Sequence, residues 1–203
     1  MAIIVICHNL GGSKESVWRY VDFLCEAGYK IVSFDFRGHG ESTSISKLRF
    51  NYKCDVEAVM KYVSEINSTN LSVGIFGLSM GSLAAIIYAA EHGGIKSIVA
   101  DGGPLLFKED YLGYVARLNG VKNPVLKFLF IRMCLLATDL CNVDKMIRGA
   151  LVNLKKCPVF FIQGEKDFLN PCRNSEKAVE ILNSDKTKYW LVKGANHLST
   201  FFI

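Results

Sequence analysis

The chain has 203 residues, of which 50% are hydrophobic and 21% are charged, and its formal net charge is +5. This length is enough for one domain with a sizeable core, and the composition excludes a disordered chain. The lysine and arginine residues are scattered, so the modest positive charge predicts a mild preference for anionic partners and no nucleic-acid binding.

The cysteine content indicates reduced thiols. There are seven cysteines, an odd number that does not suit a disulfide framework, and most lie in apolar stretches that predict burial: Cys7, Cys25, Cys134 and Cys157. Buried thiols favour the cytoplasm. No CxxC pair or Cys/His cluster indicates a metal site.

Neither of the two most apolar stretches of the chain predicts membrane insertion. The first residues are apolar but follow no basic region, which is typical of a strand rather than a signal peptide. The most apolar later stretch, residues 125–137, carries Lys127 and Arg132 and is too short to span a bilayer.

Short apolar runs alternate with helical patterns along the chain. The predicted strands are residues 2–7, 30–35, 71–76, 96–100, 158–163 and 188–192, and the predicted helices are residues 16–27, 52–66, 80–92 and 173–183. Nearly continuous apolar runs are typical of strands buried on both faces of a parallel sheet. The pattern predicts an α/β fold, with a mostly parallel sheet of about six strands and helices on both faces.

Residues 104–154 contain only helical patterning, which is far longer than an ordinary connection between strands. We expect a helical cap here, inserted into a core formed by residues 1–103 and 155–203. Seven apolar residues of this segment would either line an acyl-chain tunnel or form the buried face of a cap helix: Phe128, Leu129, Phe130, Ile131, Met133, Leu135 and Leu136.

The sequence GLSMG at residues 77–81 joins a predicted strand directly to a predicted helix. Such a turn strains the backbone of Ser79, and glycines two positions to either side relieve the crowding. It raises the Ser79 hydroxyl above the sheet edge, where it is a candidate nucleophile. The Met80 N–H lies in the first helical turn, where backbone donors are unpaired, and is half of a predicted oxyanion hole.

The other half is predicted in the loop HNLGGS at residues 8–13, which follows the first strand. Small, flexible residues there allow a backbone N–H to point at a substrate carbonyl oxygen, and Leu10 is the candidate donor. A plain glycine turn is the alternative interpretation.

A serine nucleophile needs a histidine base and an acid that orients it. Of the four histidines, only His197 lies in a loop after the last strand, in the chain order Ser, acid, His; the others are His8, His39 and His92. Two acids follow strands, Asp101 and Asp167. Asp167 is favoured because one helix and one strand separate it from His197, which brings both to the same sheet edge.

Together these segments resemble the α/β-hydrolase superfamily, especially cap-bearing esterases and members similar to monoglyceride lipases or serine aminopeptidases. The matching motifs are HNLGGS at 8–13, DFRGHGES at 35–42, GLSMG at 77–81, GEKD at 164–167 with Pro171, and GANH at 194–197. The resemblance implies Ser79 as nucleophile, Asp167 as acid, His197 as base, and Leu10 and Met80 as oxyanion donors. It also implies that Asp35, Arg37 and Gly38 form a structural turn.

The chain departs from the family pattern in three ways. Asn9 stands where the family usually has glycine, the family's first one or two strands have no counterpart, and the helix that normally follows the catalytic histidine is missing. We therefore expect a trimmed or minimal member, whose exposed sheet edge would favour a homo-oligomer.

The resemblance implies hydrolysis of a small or lipid-like carboxylic ester through an acyl-enzyme, without cofactor or metal. A thioesterase or a small-peptide serine aminopeptidase is the enzymatic alternative. A catalytically silent homologue that binds a ligand in the same pocket is the alternative from another class.

Overall fold

The computed structural model describes residues 1–43, 51–137, 142–154 and 156–202. Within them, six strands form one parallel sheet in the order β2-β1-β3-β4-β5-β6. The strands are β1 Ala2–Cys7, β2 Lys30–Ser33, β3 Ser72–Leu78, β4 Ile98–Asp101, β5 Val159–Gly164 and β6 Lys188–Val192.

Seven helices are described around this sheet. They are α1 Trp18–Glu26, α2 Lys53–Ile66, α3 Met80–His92, α4 Lys108–Leu118, α5 Pro124–Ala137, α6 Val143–Asn153 and α7 Arg173–Leu182. Short 3-10 turns precede α1, at Glu15–Val17, and follow the last strand, at Thr200–Phe202.

The predicted elements agree closely with these bounds, and β1, β6 and α3 begin and end where the pattern placed them. The difference that bears on the site concerns β3, which runs two residues beyond its predicted end. It is held there by pairing on both sides, since Gly77 pairs with Cys7 of β1 and Leu78 pairs with Asp101 of β4. The strand therefore continues to the residue just before Ser79.

Helices cover both faces of the sheet. Side chains of a strand alternate between faces: Ile3, Val5 and Cys7 join the cluster formed with α2, α3, α6 and α7. Ile6 packs on the opposite face with Tyr20 of α1. The α/β fold class with a parallel sheet of six strands is thus confirmed.

The prediction that strands are buried on both faces is confirmed for the central strands and wrong for the edge strands β2 and β6. Lys30 of β2 is exposed, as are Lys188, Trp190 and Leu191 of β6. An edge strand has a neighbour on one side only, and a sequence pattern does not show which strand lies at the edge.

Three helices, α4 to α6, lie between β4 and β5 within the segment predicted as a cap. Ile147 and Leu151 of α6 are fully buried in the core cluster that includes α3 and α7. The division into a core and a cap at residues 104–154 stays a prediction.

Two further predictions concern the burial of the cysteines and the absence of a membrane-spanning helix. The described cysteines are unpaired, and Cys7 is buried, but Cys25 is exposed, so the expectation of burial was wrong for it. No described helix has the length and apolar character needed to cross a membrane.

Candidate active site

Ser79 occupies the junction between β3 and α3. Its backbone has φ +50° and ψ −109°, a conformation that side-chain-bearing residues rarely adopt. A Cβ on Gly77 would lie 2.5 Å from Cα of Ser82, and one on Gly81 would overlap the backbone carbonyl of Cys7. The two glycines therefore permit the close approach of strand and helix, as the sequence motif predicted.

The structure brings Ser79, His197 and Asp167 together in one hydrogen-bonded chain. His197 Nε2 lies 3.0 Å from Ser79 Oγ, and His197 Nδ1 lies 2.6 Å from Asp167 Oδ2. Because Nδ1 faces a carboxylate oxygen it carries the ring proton, which leaves Nε2 to accept the serine proton. The side chain of Asp167 is fully buried, whereas that of His197 is 20% exposed.

Asp167 is held by donors on both of its oxygens. Oδ1 accepts the backbone N–H groups of Leu169 at 3.0 Å and Asn170 at 2.8 Å. Oδ2 accepts the amide of Gln163 at 3.1 Å besides the His197 ring. A buried carboxylate with this many donors is a fixed acceptor, able to keep the imidazole in one tautomer and orientation.

Gln163 is a supporting residue that the sequence analysis did not identify. It is fully buried in β5, its amide also donates to the Asn170 carbonyl at 2.9 Å, and its oxygen accepts the Ser175 hydroxyl at 2.7 Å. The sequence pattern that could have identified it is the single polar residue in the apolar run 158–163. A polar side chain buried in a strand requires hydrogen-bond partners and therefore often supports a site.

The two predicted oxyanion donors lie at the same cavity as Ser79. Leu10 and Met80 both line it, together with Ser79 and His197. Met80 is the first residue of α3, so its N–H is among the four that a helix leaves without an internal acceptor.

His8 fixes the peptide that contains the Leu10 N–H. His8 Nε2 accepts the Phe36 N–H at 3.0 Å, so Nδ1 carries the proton and donates to the Asn9 carbonyl at 2.8 Å. The Gly12 N–H donates to the same carbonyl at 3.0 Å. The peptide is planar, so fixing this carbonyl fixes the direction of the Leu10 N–H. Burial lowers the pKa of His8, in keeping with a neutral ring.

Asp35 ties the segment at 35–42 to Lys14, the residue that follows the loop at 8–13. Its carboxylate accepts the backbone N–H groups of Lys14 at 2.7 Å and Glu41 at 3.0 Å, and the Lys14 ammonium at 3.2 Å. Burial alone would raise the pKa of Asp35. The hydrogen bonds from these donors lower it by more, so the pKa of Asp35 lies below its ordinary value. Arg37 binds Asp55 of α2 through Nε and Nη2.

The competing candidates do not join the hydrogen-bonded chain of Ser79, His197 and Asp167. Asp101 contacts Thr200 rather than a histidine. His39 Nδ1 lies 3.1 Å from the Arg37 carbonyl, and His92 stacks on Tyr88 at the end of α3. Glu165, two residues before Asp167, was not a candidate; it accepts the Gly194 N–H at 2.9 Å and so supports the loop that leads to His197.

A cavity of about 360 Å³ opens beside the Ser79 hydroxyl. Its lining is mainly apolar or aromatic: Leu83, Leu105, Tyr111, Tyr114, Val115, Leu118 and Leu169. None of the seven α5 residues expected to form a tunnel or a buried face belongs to this lining. Phe128, Leu129, Met133 and Leu136 are instead exposed, so both expectations were wrong for these four.

Comparison with solved structures places the same architecture in esterases and lipases. The Pyrococcus furiosus esterase Pf2001 superposes with a TM-score of 0.77 at 22% identity, over 99% of this chain and 76% of the esterase. A Paleococcus ferrophilus monoacylglycerol lipase superposes with a TM-score of 0.70 at 22% identity, over 96% of this chain and 85% of the lipase. At such identities the likeness shows the fold alone.

Comparison of sequences leads to the same fold. The uncharacterized Bacillus subtilis protein YqkD is 25% identical over 97% of this chain, which spans 65% of the length of YqkD, slightly less than two thirds. A model of the alpha/beta hydrolase fold family matches residues 2–123, more than half of the chain. The chain therefore belongs to the alpha/beta hydrolase fold family.

Proposed function

We propose that the protein is a serine hydrolase that cleaves carboxylic esters with neutral, apolar acyl groups. The observation that carries this proposal is the pair of hydrogen bonds from Asp167 through His197 to Ser79, at 2.6 and 3.0 Å, beside a mainly apolar cavity. Serine becomes a competent nucleophile when a base accepts its proton and an acid orients that base.

In the first step Ser79 Oγ attacks the ester carbonyl carbon and its proton moves to His197 Nε2. The resulting imidazolium is stabilised by Asp167, and the N–H groups of Leu10 and Met80 stabilise the oxyanion. The tetrahedral intermediate then collapses. The bond to the alcohol oxygen breaks, His197 gives its proton to that oxygen, and the acyl group stays on Ser79.

In the second step water attacks the acyl-enzyme while His197 Nε2 takes one of its protons. Collapse of the second tetrahedral intermediate releases the carboxylic acid and returns the proton to Ser79 Oγ. Each proton and electron pair is handled by these residues and water, so the scheme requires no metal or organic cofactor.

The lining of the cavity supports an uncharged acyl group. Apart from His197, no acidic or basic side chain lines the cavity within the described residues. A peptide with a free amino group would have to bury its ammonium without a carboxylate partner, which is costly. The aminopeptidase alternative is disfavoured on this ground, whereas a thioester fits the same lining as an ester.

The test is hydrolysis of p-nitrophenyl butyrate and of butyryl thioester by the wild-type protein and three variants. We expect Ser79→Ala to abolish turnover and Asp167→Asn to reduce kcat by about 10⁴-fold, because asparagine stabilises the wrong imidazole tautomer. Ser64→Ala, at an exposed serine of α2, is the matched control and should keep wild-type activity.

The outcomes separate the classes of function. Ester turnover that Ser79→Ala removes supports the proposal, and a higher kcat/KM for the thioester would reassign the enzyme as a thioesterase. A folded wild-type protein that cleaves neither substrate while binding butyrate-like ligands would indicate a ligand-binding homologue instead.

A further inference from the structure

Helix α5 carries large apolar side chains on its solvent-facing side. We define the α5 face as Val125, Leu126, Phe128, Leu129, Met133 and Leu136. Each of these residues is between 56% and 86% exposed. Contiguous apolar surface of this kind usually marks a site of interaction with another protein or a membrane.

Most residues of the α5 face form one stripe because of the helical repeat, and Phe128 lies at its edge, on the side of Leu135. Residues 125, 129, 133 and 136 recur at spacings of four and three and therefore lie on the same side of the helix. The opposite side holds Ile131, Cys134 and Leu135, which pack against the core cluster. The helix is thus anchored by its inner side and presents the α5 face outward.

The charges on α5 and on the loop before it are all positive, and the first acidic residue after the helix is Asp139. From Arg117 to Ala137 the sequence contains four basic residues, Arg117, Lys122, Lys127 and Arg132, and no aspartate or glutamate. Arg117, Lys122 and Arg132 are exposed. A second copy seated on this face would bring like charges together, which opposes self-association. An anionic lipid surface complements both the apolar stripe and the positive charge.

The α5 face is also continuous with the cavity beside Ser79. Leu118, the last residue of α4, lines that cavity and is 69% exposed. It lies six residues before α5 begins, and α4 packs against α5. A surface that covers the α5 face would therefore lie close to the mouth of the cavity.

We infer that the α5 face docks the protein on an anionic lipid bilayer. The side chains of Phe128, Leu129 and Met133 would enter the boundary between headgroups and acyl chains, while Arg117, Lys122 and Arg132 would contact lipid phosphates. This mode is interfacial, and it needs no spanning helix, of which there is none among the described residues. The inference concerns binding, and it does not depend on the proposed hydrolysis.

The experiment is co-sedimentation of the full chain with vesicles of phosphatidylcholine and phosphatidylglycerol at 3:1, compared with vesicles of pure phosphatidylcholine. The wild-type protein should bind the anionic vesicles at least tenfold more tightly. Leu129→Glu should weaken binding at least tenfold, because it places a negative charge in the apolar stripe. Ile66→Glu, at a half-exposed position that ends α2, is the matched control and should bind within twofold of wild type.

Two further variants separate the charge contribution and the proposed chemistry from the apolar contact. Arg132→Glu should weaken binding to anionic vesicles only, and Ser79→Ala should bind like wild type, so failure of the proposed chemistry would leave this result unchanged. Equal melting temperatures check that the variants are folded. Absence of vesicle binding by the wild type, or binding that Leu129→Glu leaves intact, would overturn the inference. A dimer that Leu129→Glu dissociates, without vesicle binding, would assign the face to a second copy instead.

Discussion

The backbone N–H of Ser79 donates a 2.8 Å hydrogen bond to the backbone carbonyl of Asp101. The Asp101 carboxylate, on the same residue, accepts the Thr200 hydroxyl at 2.7 Å, three residues after His197. Asp101 is 1% exposed, and its Oδ1 has no hydrogen-bond partner among the described residues. It therefore connects β4 to the nucleophile turn and to the segment after the histidine, at the cost of an incompletely satisfied buried carboxylate.

This burial predicts a distinctive pH dependence of stability. Burial raises the pKa of Asp101 to about 6, so the folded protein holds a proton that the unfolded chain has lost between about pH 4 and pH 6. The Asp101 contribution to the free energy of unfolding is therefore full below about pH 4 and falls as the pH rises to about 6. Asp101→Asn removes this titration while keeping an acceptor for Thr200.

The measurement is urea unfolding of wild type and Asp101→Asn at several pH values. The stability of the variant relative to wild type should increase by about 3 kcal/mol between pH 4 and pH 7, the free energy of a shift of about two pKa units. A difference that is flat across this range, or one that favours wild type at higher pH, would contradict a raised pKa of the buried Asp101 carboxyl group.

The positive φ at Ser79 predicts that backbone strain is stored at the nucleophile. Both Ser79→Gly and Ser79→Ala lack the hydroxyl. The free energy of unfolding of Ser79→Gly should be about 1 kcal/mol higher than that of Ser79→Ala, because glycine adopts this conformation without steric strain. At Ser64, inside α2, the order should reverse, since alanine is the better helix former. Equal stabilities of the two Ser79 variants would show that the turn is not strained.

The contact between Gly81 and β1 predicts opposite effects for two glycine-to-alanine changes. Gly81→Ala should lower the free energy of unfolding by about 2 kcal/mol, because the added methyl group overlaps the Cys7 carbonyl. Gly149→Ala on α6, where a Cβ has open space, should raise it by about 1 kcal/mol. Thermal or urea unfolding of both variants gives the comparison, and a neutral Gly81→Ala would mean that α3 is not pressed against the sheet.

The acyl cavity predicts selectivity for chain length. Each buried methylene contributes about 0.8 kcal/mol, or about fourfold in kcat/KM, until the cavity is filled. Val115→Trp should fill part of the cavity and lower kcat/KM for p-nitrophenyl octanoate at least tenfold more than for the acetate. Val152→Trp on α6, exposed and outside the cavity lining, is the control. An unchanged ratio in Val115→Trp would place the acyl chain elsewhere.

Much of the fold and of the candidate site follows from local patterns. Hydrophobic runs located all six strands of the described residues, and the glycines near Ser79 indicated the junction of strand and helix because that geometry is local. The proximity of Asp167 and His197 followed from topology, since parallel strands bring the loops after their carboxyl ends to one edge.

Contacts between distant segments were not predictable in this way. The bond between Asp101 and Thr200 joins residues 99 positions apart, and the role of Gln163 depends on where Asn170 and Ser175 come to lie. The apolar pattern of α5 indicated burial, but exposure depends on which neighbours cover a helix. Its outer residues, such as Leu136 at 86% exposure, therefore could not be placed from sequence.

The central claim is that Ser79 is a nucleophile activated by His197, and covalent labelling with a fluorophosphonate tests it most directly. Intact mass and peptide mapping should show one phosphonyl group on Ser79 in wild type, none in Ser79→Ala, and labelling slowed at least 10²-fold in His197→Ala. A folded wild-type protein that stays unlabelled, or that carries the label on another residue, would contradict the claim.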